Sequence, residues 1–220
     1  MPVIDALHDA PDFGIEPAAH LLCALSHEYP RGSVFLAVVD PGVGTSRDAI
    51  VVKAGGRSFV GPDNGLLSLV WQRARRRECL RIAWRPERLT SSFHGRDLFA
   101  PVAAALARNR VPLGWLSRKH APDVVLPDAD LPRIIYIDHY GNAVTGLRPA
   151  NRDATLLVGR QNLPYARTFE EATGPFWYEN SMGLAEIALP RGSAARKLRL
   201  GIGSKASWRR SKAPGSRGSR

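Results

Sequence analysis

The chain has 220 residues, 44% of them hydrophobic, and carries a formal net charge of +11. That length and apolar share suit one large or two small globular units. No apolar run approaches the roughly 18 residues needed to cross a bilayer, which excludes a membrane-spanning helix.

The positive charge suggests a nucleic-acid partner, but its distribution argues against one. Lys205, Arg209, Arg210, Lys212, Arg217 and Arg220 lie in a tail without acidic residues, so the rest of the chain has only a modest surplus. That tail also lacks aromatic residues beyond Trp208 on which bases could stack. A second cluster, Arg73 with Arg75, Arg76 and Arg77, reads as the solvated face of a helix. Cys23 and Cys79 have no CxxC spacing, and no signal peptide is present, so buried free thiols in a reducing cytoplasm are expected.

In chain order, residues 3–7 form a short apolar piece, and 11–14 a turn. Residues 16–29 show helical periodicity through Ala18, Leu21, Leu22 and Leu25. Residues 34–39, all apolar or β-branched, predict a strand buried on both faces of a sheet. That strand ends on Asp40-Pro41-Gly42, and the chain reaches Arg47 before a second apolar run at 49–52. The turn Gly61-Pro62-Asp63-Asn64-Gly65 follows, then a helix over 66–77, a short strand over 80–84 and an alanine-rich helix over 99–107. This alternation predicts an α/β domain with a mostly parallel sheet flanked by helices.

Periodicity dissolves between residues 112 and 132, where prolines cluster. Beyond it, short β runs at 134–137, 154–158, 185–189 and 197–202 are separated by glycine and asparagine turns, which predicts a small all-β barrel or sandwich. The expected organisation is therefore an α/β domain over 1–118, a linker over 119–132, a β-barrel over 133–203 and a disordered basic tail over 204–220.

There is no GxSxG, no HExxH and no phosphate-binding glycine loop. His20, His27 and His120 have no polar company in the sequence and are expected at the surface. Four polar groups remain, all at turns: Asp40 with Arg47, Asp63-Asn64, His94 with Arg96 and Asp97, and Asp138 with Asn142. Each is also ordinary turn or cap chemistry, so alone they support only a small-molecule site at strand ends.

Taken together, VVDPGVGTSR, FVGPDNGLL, SSFHGRDLFAPVAAALA, IDHYGN and ENSMGLAEIA resemble the S-adenosyl-L-methionine (SAM) hydroxide adenosyltransferase family. Five motifs agree in order over almost the whole chain. The resemblance implies an α/β domain followed by a small β-barrel, and hydrolysis of SAM to adenosine and L-methionine without a cofactor or metal. It also implies a homotrimer with the substrate at the subunit interface. The family's catalytic Asp, Arg and His fall on Asp40, Arg47 and His94; SAM contacts carry over to Asn142, Asp138, Ser181 and Phe13, with Asp63 and Asn64 shaping the same region.

These residues suit the chemistry. Methionine leaves as a neutral thioether, so the demand falls on the nucleophile, a water with a pKa near 15.7. A carboxylate, a guanidinium and an imidazole can orient that water, and Asp40 or His94 can take its proton. The halogenating relatives lack an acid at the first position, where Asp40 would repel a halide, so hydrolysis is favoured over halogenation. The family's opening Thr-Asp-Phe-Gly strand has no counterpart before Val3. A start codon placed too late explains this, as does a remnant that only binds SAM or adenosine; the intact Asp40, Arg47 and His94 favour the former.

Overall fold

A computed structural model describes residues 2–149 and 151–209. The chain divides into two compact units, Met1–Ala129 and Asp130–Arg220. Among the described residues, no helix is long and apolar enough to cross a membrane.

The first unit contains α1 (Ile15–Ser26), β1 (Val34–Leu36), β2 (Ala49–Ala54), β3 (Arg57–Pro62), α2 (Ser68–Arg73), β4 (Arg77–Ile82), one π-helical stretch (Gly95–Phe99), α3 (Ala100–Ala107) and β5 (Leu116–Lys119). Its sheet runs β1-β3-β2-β4-β5. Only β1 and β3 are parallel; the β3–β2, β2–β4 and β4–β5 pairs are antiparallel. This corrects the expectation of a mostly parallel sheet. The reason is local: Gly55-Gly56 closes β2 and β3 into a two-residue hairpin, whereas parallel neighbours need a long crossover.

Residues alternate along β2 and sort the core into two layers. Ile50 and Val52 pack with Phe59, Ala18 and Cys23 of α1, and Leu69 and Val70 of α2. Val51 packs with Val60, Leu80 and Ile82 against Leu98 and Phe99, and Val102 and Ala103 of α3. Each large apolar side chain so buried contributes about 1.5–3 kcal/mol.

Several local expectations change. Residues 3–7 form no strand, and β1 lies at a sheet edge with Leu36 and Val38 half exposed, because it pairs with β3 alone. The helix expected over 66–77 shrinks to α2, and Arg77 opens β4 instead. Arg73 does not sit on a solvated face: its Nε donates to Asp128 at 2.6 Å and its Nη1 points to the Cys23 sulfur at 3.8 Å. His20, expected at the surface, is buried within α1.

The segment read as a linker belongs largely to the first unit. Gln72 Nε2 donates to the Leu126 carbonyl at 2.6 Å, and the Leu126 N–H to Ser68 Oγ at 3.2 Å. The unit boundary falls after Ala129. Backbone-to-side-chain bonds leave no hydrophobic period, so this attachment is silent in the sequence.

The second unit holds β6 (Leu131–Ile137), β7 (Ala143–Gly146), β8 (Leu156–Val158), β9 (Gln161–Leu163), β10 (Phe176–Glu179), β11 (Ala185–Ala188), α4 (Ala194–Leu198) and β12 (Ala206–Trp208). They form a four-stranded sheet, β10-β11-β7-β6, and a three-stranded sheet, β12-β8-β9, around Trp177, Ile134, Leu156 and Ile187. The run at 197–202, expected as a strand, instead contains the end of α4. Ser193 caps that helix by accepting from the Arg196 N–H, and Arg199 ends it in the left-handed conformation. The unit is thus two small sheets with a one-turn helix, where a purely β barrel was expected. Residues 204–209, expected to be disordered, include β12, which pairs with β8. The rest of the tail, 210–220, lies outside the described residues.

Candidate active site

Asp40 and Arg47 come from the two sides of the loop between β1 and β2. Arg47 Nε donates to Asp40 Oδ1 at 2.9 Å, and Nη2 donates to Oδ2. Both side chains are largely buried, at 4% and 10% exposure, so this bidentate pair is shielded from water. The loop can fold so tightly because Gly44 sits at φ +81°, where a Cβ would come within 2.8 Å of the Ser91 carbonyl. That close approach joins the loop to the segment that carries His94.

His94 stands at the head of the π-helical stretch, and its Nδ1 lies 3.0 Å from Arg47 Nη2. Guanidinium nitrogens only donate. Nδ1 is therefore the acceptor, and the imidazole is neutral with its hydrogen on Nε2. Burial lowers the His94 pKa, the field of Arg47 lowers it further, and the Asp40 carboxylate opposes both. Phe99, fully buried, underlies the pair: the Arg47 Cζ stands 5.2 Å from its ring centre and the His94 ring meets it edge-on. Such a face-on cation contributes about 0.5–2 kcal/mol.

Asp97, read as a helix cap, ties back the preceding loop by accepting from the Thr90 N–H at 3.1 Å. Its hydrogen bond from Arg96, followed by that from Thr90, holds its carboxyl well below the usual range.

A cavity of about 430 Å³ opens beside Asp40, lined by Leu7, His8, Phe13, Leu36, Val38 and Val39 among others. Phe13 is at φ +56° and strongly exposed on the 11–14 turn, an unusual placement for a large apolar side chain. The structure thus puts Arg47 in direct contact with both Asp40 and His94, and sets Phe13 on the rim of the cavity beside Asp40.

Asp63 and Asn64 do something else. The Asp63 side chain is fully buried and accepts from the Asp123 N–H at 3.0 and 3.1 Å, with Lys119 Nζ 3.3 Å away. Burial raises its pKa. Asn64 donates from Nδ2 to the Val39 carbonyl at 2.9 Å and accepts from the Leu66 N–H at 3.1 Å. These two residues brace the backbone next to Asp40. Gly61 makes that bracing possible, since a Cβ there would meet the Ala37 carbonyl at 2.4 Å.

Asp48, Asp63 and Asp123 bring carboxylate oxygens within 4.8 Å of one another, a grouping able to hold a metal ion. Lys119 Nζ already occupies that position, at 2.9, 3.3 and 2.7 Å from the three.

In the second unit, Asp138 and Asn142 close a turn on each other. The Asn142 N–H and Nδ2 donate to the two Asp138 carboxylate oxygens at 2.8 and 2.9 Å. Ser181 is exposed at the tip of the turn after β10. Asn180 Oδ1 holds that turn by accepting from the Met182 and Leu184 N–H groups, and Asn180 Nδ2 donates to Glu186 at 2.9 Å. Buried Glu186 also accepts from the Tyr178 hydroxyl at 2.6 Å; burial and then this bond push the Tyr178 pKa up. Phe99, Lys119 and Glu186 were not singled out from the sequence. Phe99 looks there like any core aromatic, and Lys119 falls where no periodicity exists.

Residues 1–114 match the SAM hydroxide adenosyltransferase N-terminal domain, and residues 132–207 match the C-terminal domain of the same family. Over 221 residues the chain is 37% identical to the (R)-S-adenosyl-L-methionine hydrolase of Thermus thermophilus, a match covering 90% of this chain and 84% of that one. The hydrolase of the same name from Salinispora arenicola is 37% identical over 215 residues, covering 89% and 82%. The crystal structure of an uncharacterized conserved protein from Thermotoga maritima is similar with a TM-score of 0.83 at 30% identity, covering 96% of this chain and 89% of that one.

Proposed function

The chain belongs to the SAM hydroxide adenosyltransferase family, and on that premise we propose that it hydrolyses SAM to adenosine and L-methionine. The observation that carries this reading is the contact of Arg47 with both Asp40 and His94. One fixed cation with a carboxylate and a neutral imidazole on it is a site for orienting and deprotonating a water.

In the reaction, the water oxygen bonds to ribose C5′ as the C5′–S bond breaks. Sulfur keeps the electron pair and leaves as a thioether, so no acid is needed on that side. The proton of the attacking water passes to the Asp40 carboxylate, because the one lone pair of the neutral His94 ring, at Nδ1, is held by Arg47 and its Nε2 already carries a hydrogen. Arg47 keeps its charge throughout and stabilises the developing hydroxide. Its contact with Phe99 and the tight 40–47 loop fix it before substrate arrives, and such orientation supplies much of the rate. Asp40 disfavours a halide at the attacking position, because two anions would share one small buried space.

Asn142, Asp138, Ser181 and Phe13 are assigned as SAM contacts in this reading, and the active species as a homotrimer. Exposure of Ser181 and Phe13 supports their part in it. No cofactor is required, since the sulfonium activates its own carbon.

The test is incubation of the purified protein with SAM in oxygen-18 water. Adenosine bearing the label at its 5′ oxygen, with one L-methionine for each, is the expected result. Unlabelled adenosine, or none, overturns the proposal. Sedimentation of the same sample reads the oligomer.

A further inference from the structure

We infer that Lys119 is a positioning residue for the Asp40–Arg47 pair, because its ammonium joins the strand end carrying Arg47 to the turn that holds the residue before Asp40. The inference rests on the reading of Asp40, Arg47 and His94 as the hydrolytic centre.

Two chains of contacts meet at Lys119 Nζ. The first runs through Asp48, whose carboxylate accepts from Lys119 at 2.9 Å and from Arg81 Nε at 2.9 Å. The Asp48 carbonyl in turn accepts from Arg47 Nη1 at 3.2 Å and from the Asp63 N–H at 2.9 Å. The second runs through Asp63, which is next to Asn64, and Asn64 holds the Val39 carbonyl. Arg47 is thus one residue from a group anchored on the cation, and Asp40 is tied to the same cation through Val39, the Asn64 hydrogen bond and Asp63.

The cation is necessary to this arrangement. Asp48, Asp63 and Asp123 crowd their oxygens together, and Asp63 is sealed from water, so without Lys119 they repel. Burial works against charge on Lys119, but hydrogen bonds to Asp123 and Asp48 and the fields of Asp63 and Asp48 outweigh it and raise its pKa. The strand itself does not depend on this side chain, since β5 is held to β4 by backbone pairing. Removing the ammonium therefore loosens the two anchored ends and leaves the sheet in place.

The experiment compares the wild-type chain with Lys119→Met, Lys119→Arg and the double variant Lys119→Met/Asp63→Asn. Two readouts are taken: steady-state SAM hydrolysis, and solvent exchange of the Arg47 Nε–H, the hydrogen bonded to Asp40, by nitrogen-15 NMR. In Lys119→Met, kcat is expected to fall roughly ten- to a hundredfold with KM for SAM changed less than about threefold, and the Nε–H to exchange faster. The deficit shrinks as pH falls, because a proton on Asp63 then takes the place of the missing cation. The double variant and Lys119→Arg both recover activity and the slow Nε–H.

An unchanged kcat and an unchanged Nε–H in Lys119→Met overturn the inference, as does a double variant no better than Lys119→Met. Should Lys119→Met not fold, Lys119→Gln, which keeps a donor without the charge, takes its place: slowed turnover with a faster Nε–H supports the inference, and no change in either overturns it. If the wild-type chain does not hydrolyse SAM, the functional reading fails separately, and the Arg47 signal still decides the role of Lys119.

Discussion

Arg47 Nη2 lies 3.0 Å from His94 Nδ1 while the same guanidinium grips Asp40 through two bonds. A donor-only group facing a ring nitrogen requires that nitrogen to be unprotonated. The relationship fixes the tautomer of His94 and makes its neutral form part of the site.

A pH dependence follows. Folding lowers the His94 pKa, through burial first and then the Arg47 charge, so the unfolded chain binds this proton more tightly than the folded one. The contribution to stability is then present above the unfolded value of about 6.5 and lost as pH falls through the lowered folded value. Activity should fail over the same range, since protonation turns two donors against each other. Rate and thermal melting between pH 4 and 8 check this, against His94→Gln. The wild type should lose melting temperature relative to that variant as pH falls, and parallel curves would contradict the assignment.

Arg47 should not be replaceable by lysine. An ammonium cannot make the two Asp40 bonds and reach Nδ1 of His94 from one rigid plane. Arg47→Lys is expected to lower kcat by roughly a hundredfold, within the usual range for lost acid–base positioning. Asp40→Ala leaves the Arg47 charge buried and uncompensated and should cost roughly 3–5 kcal/mol, with Asp40→Asn costing less. Urea denaturation alongside single-turnover SAM hydrolysis separates the two effects. Equal stability of Asp40→Ala and the wild type would show that the pair is solvated.

Glu186 offers a test in the second unit. Glu186→Ala strips the Tyr178 hydroxyl and the Asn180 amide of their acceptor, leaving partly buried donors unsatisfied at up to about 1 kcal/mol each. The Ser181 turn should loosen, raising KM for SAM more than it lowers kcat. A fall in kcat alone would remove Ser181 from the binding surface.

The second half of the chain was legible in part. Short apolar β runs marked β6, β8 and β11, while β9 and β12, Gln161–Leu163 and Ala206–Trp208, are too poor in apolar residues to form such a run. The run at 197–202 alternates as a strand would, yet Ser193 and Arg199 cap a helical turn within it. In the first half, a run of six apolar residues signalled a strand correctly but not its place at an edge, because burial of a strand depends on neighbours it does not encode.

The sequence by itself determined the family and the two-unit plan, and through the resemblance it pointed to Asp40, Arg47 and His94, since motif spacing and local turn chemistry are written in adjacent residues. Only the tertiary structure decided the mostly antiparallel sheet, the neutral state of His94 and the contacts of Lys119, Asp63 and Asn64. Those depend on contacts such as Arg47 with His94 and Lys119 with Asp48, between residues 47 and 71 positions apart. No local pattern reports a distance of that kind, because what sets it is the packing of the whole unit.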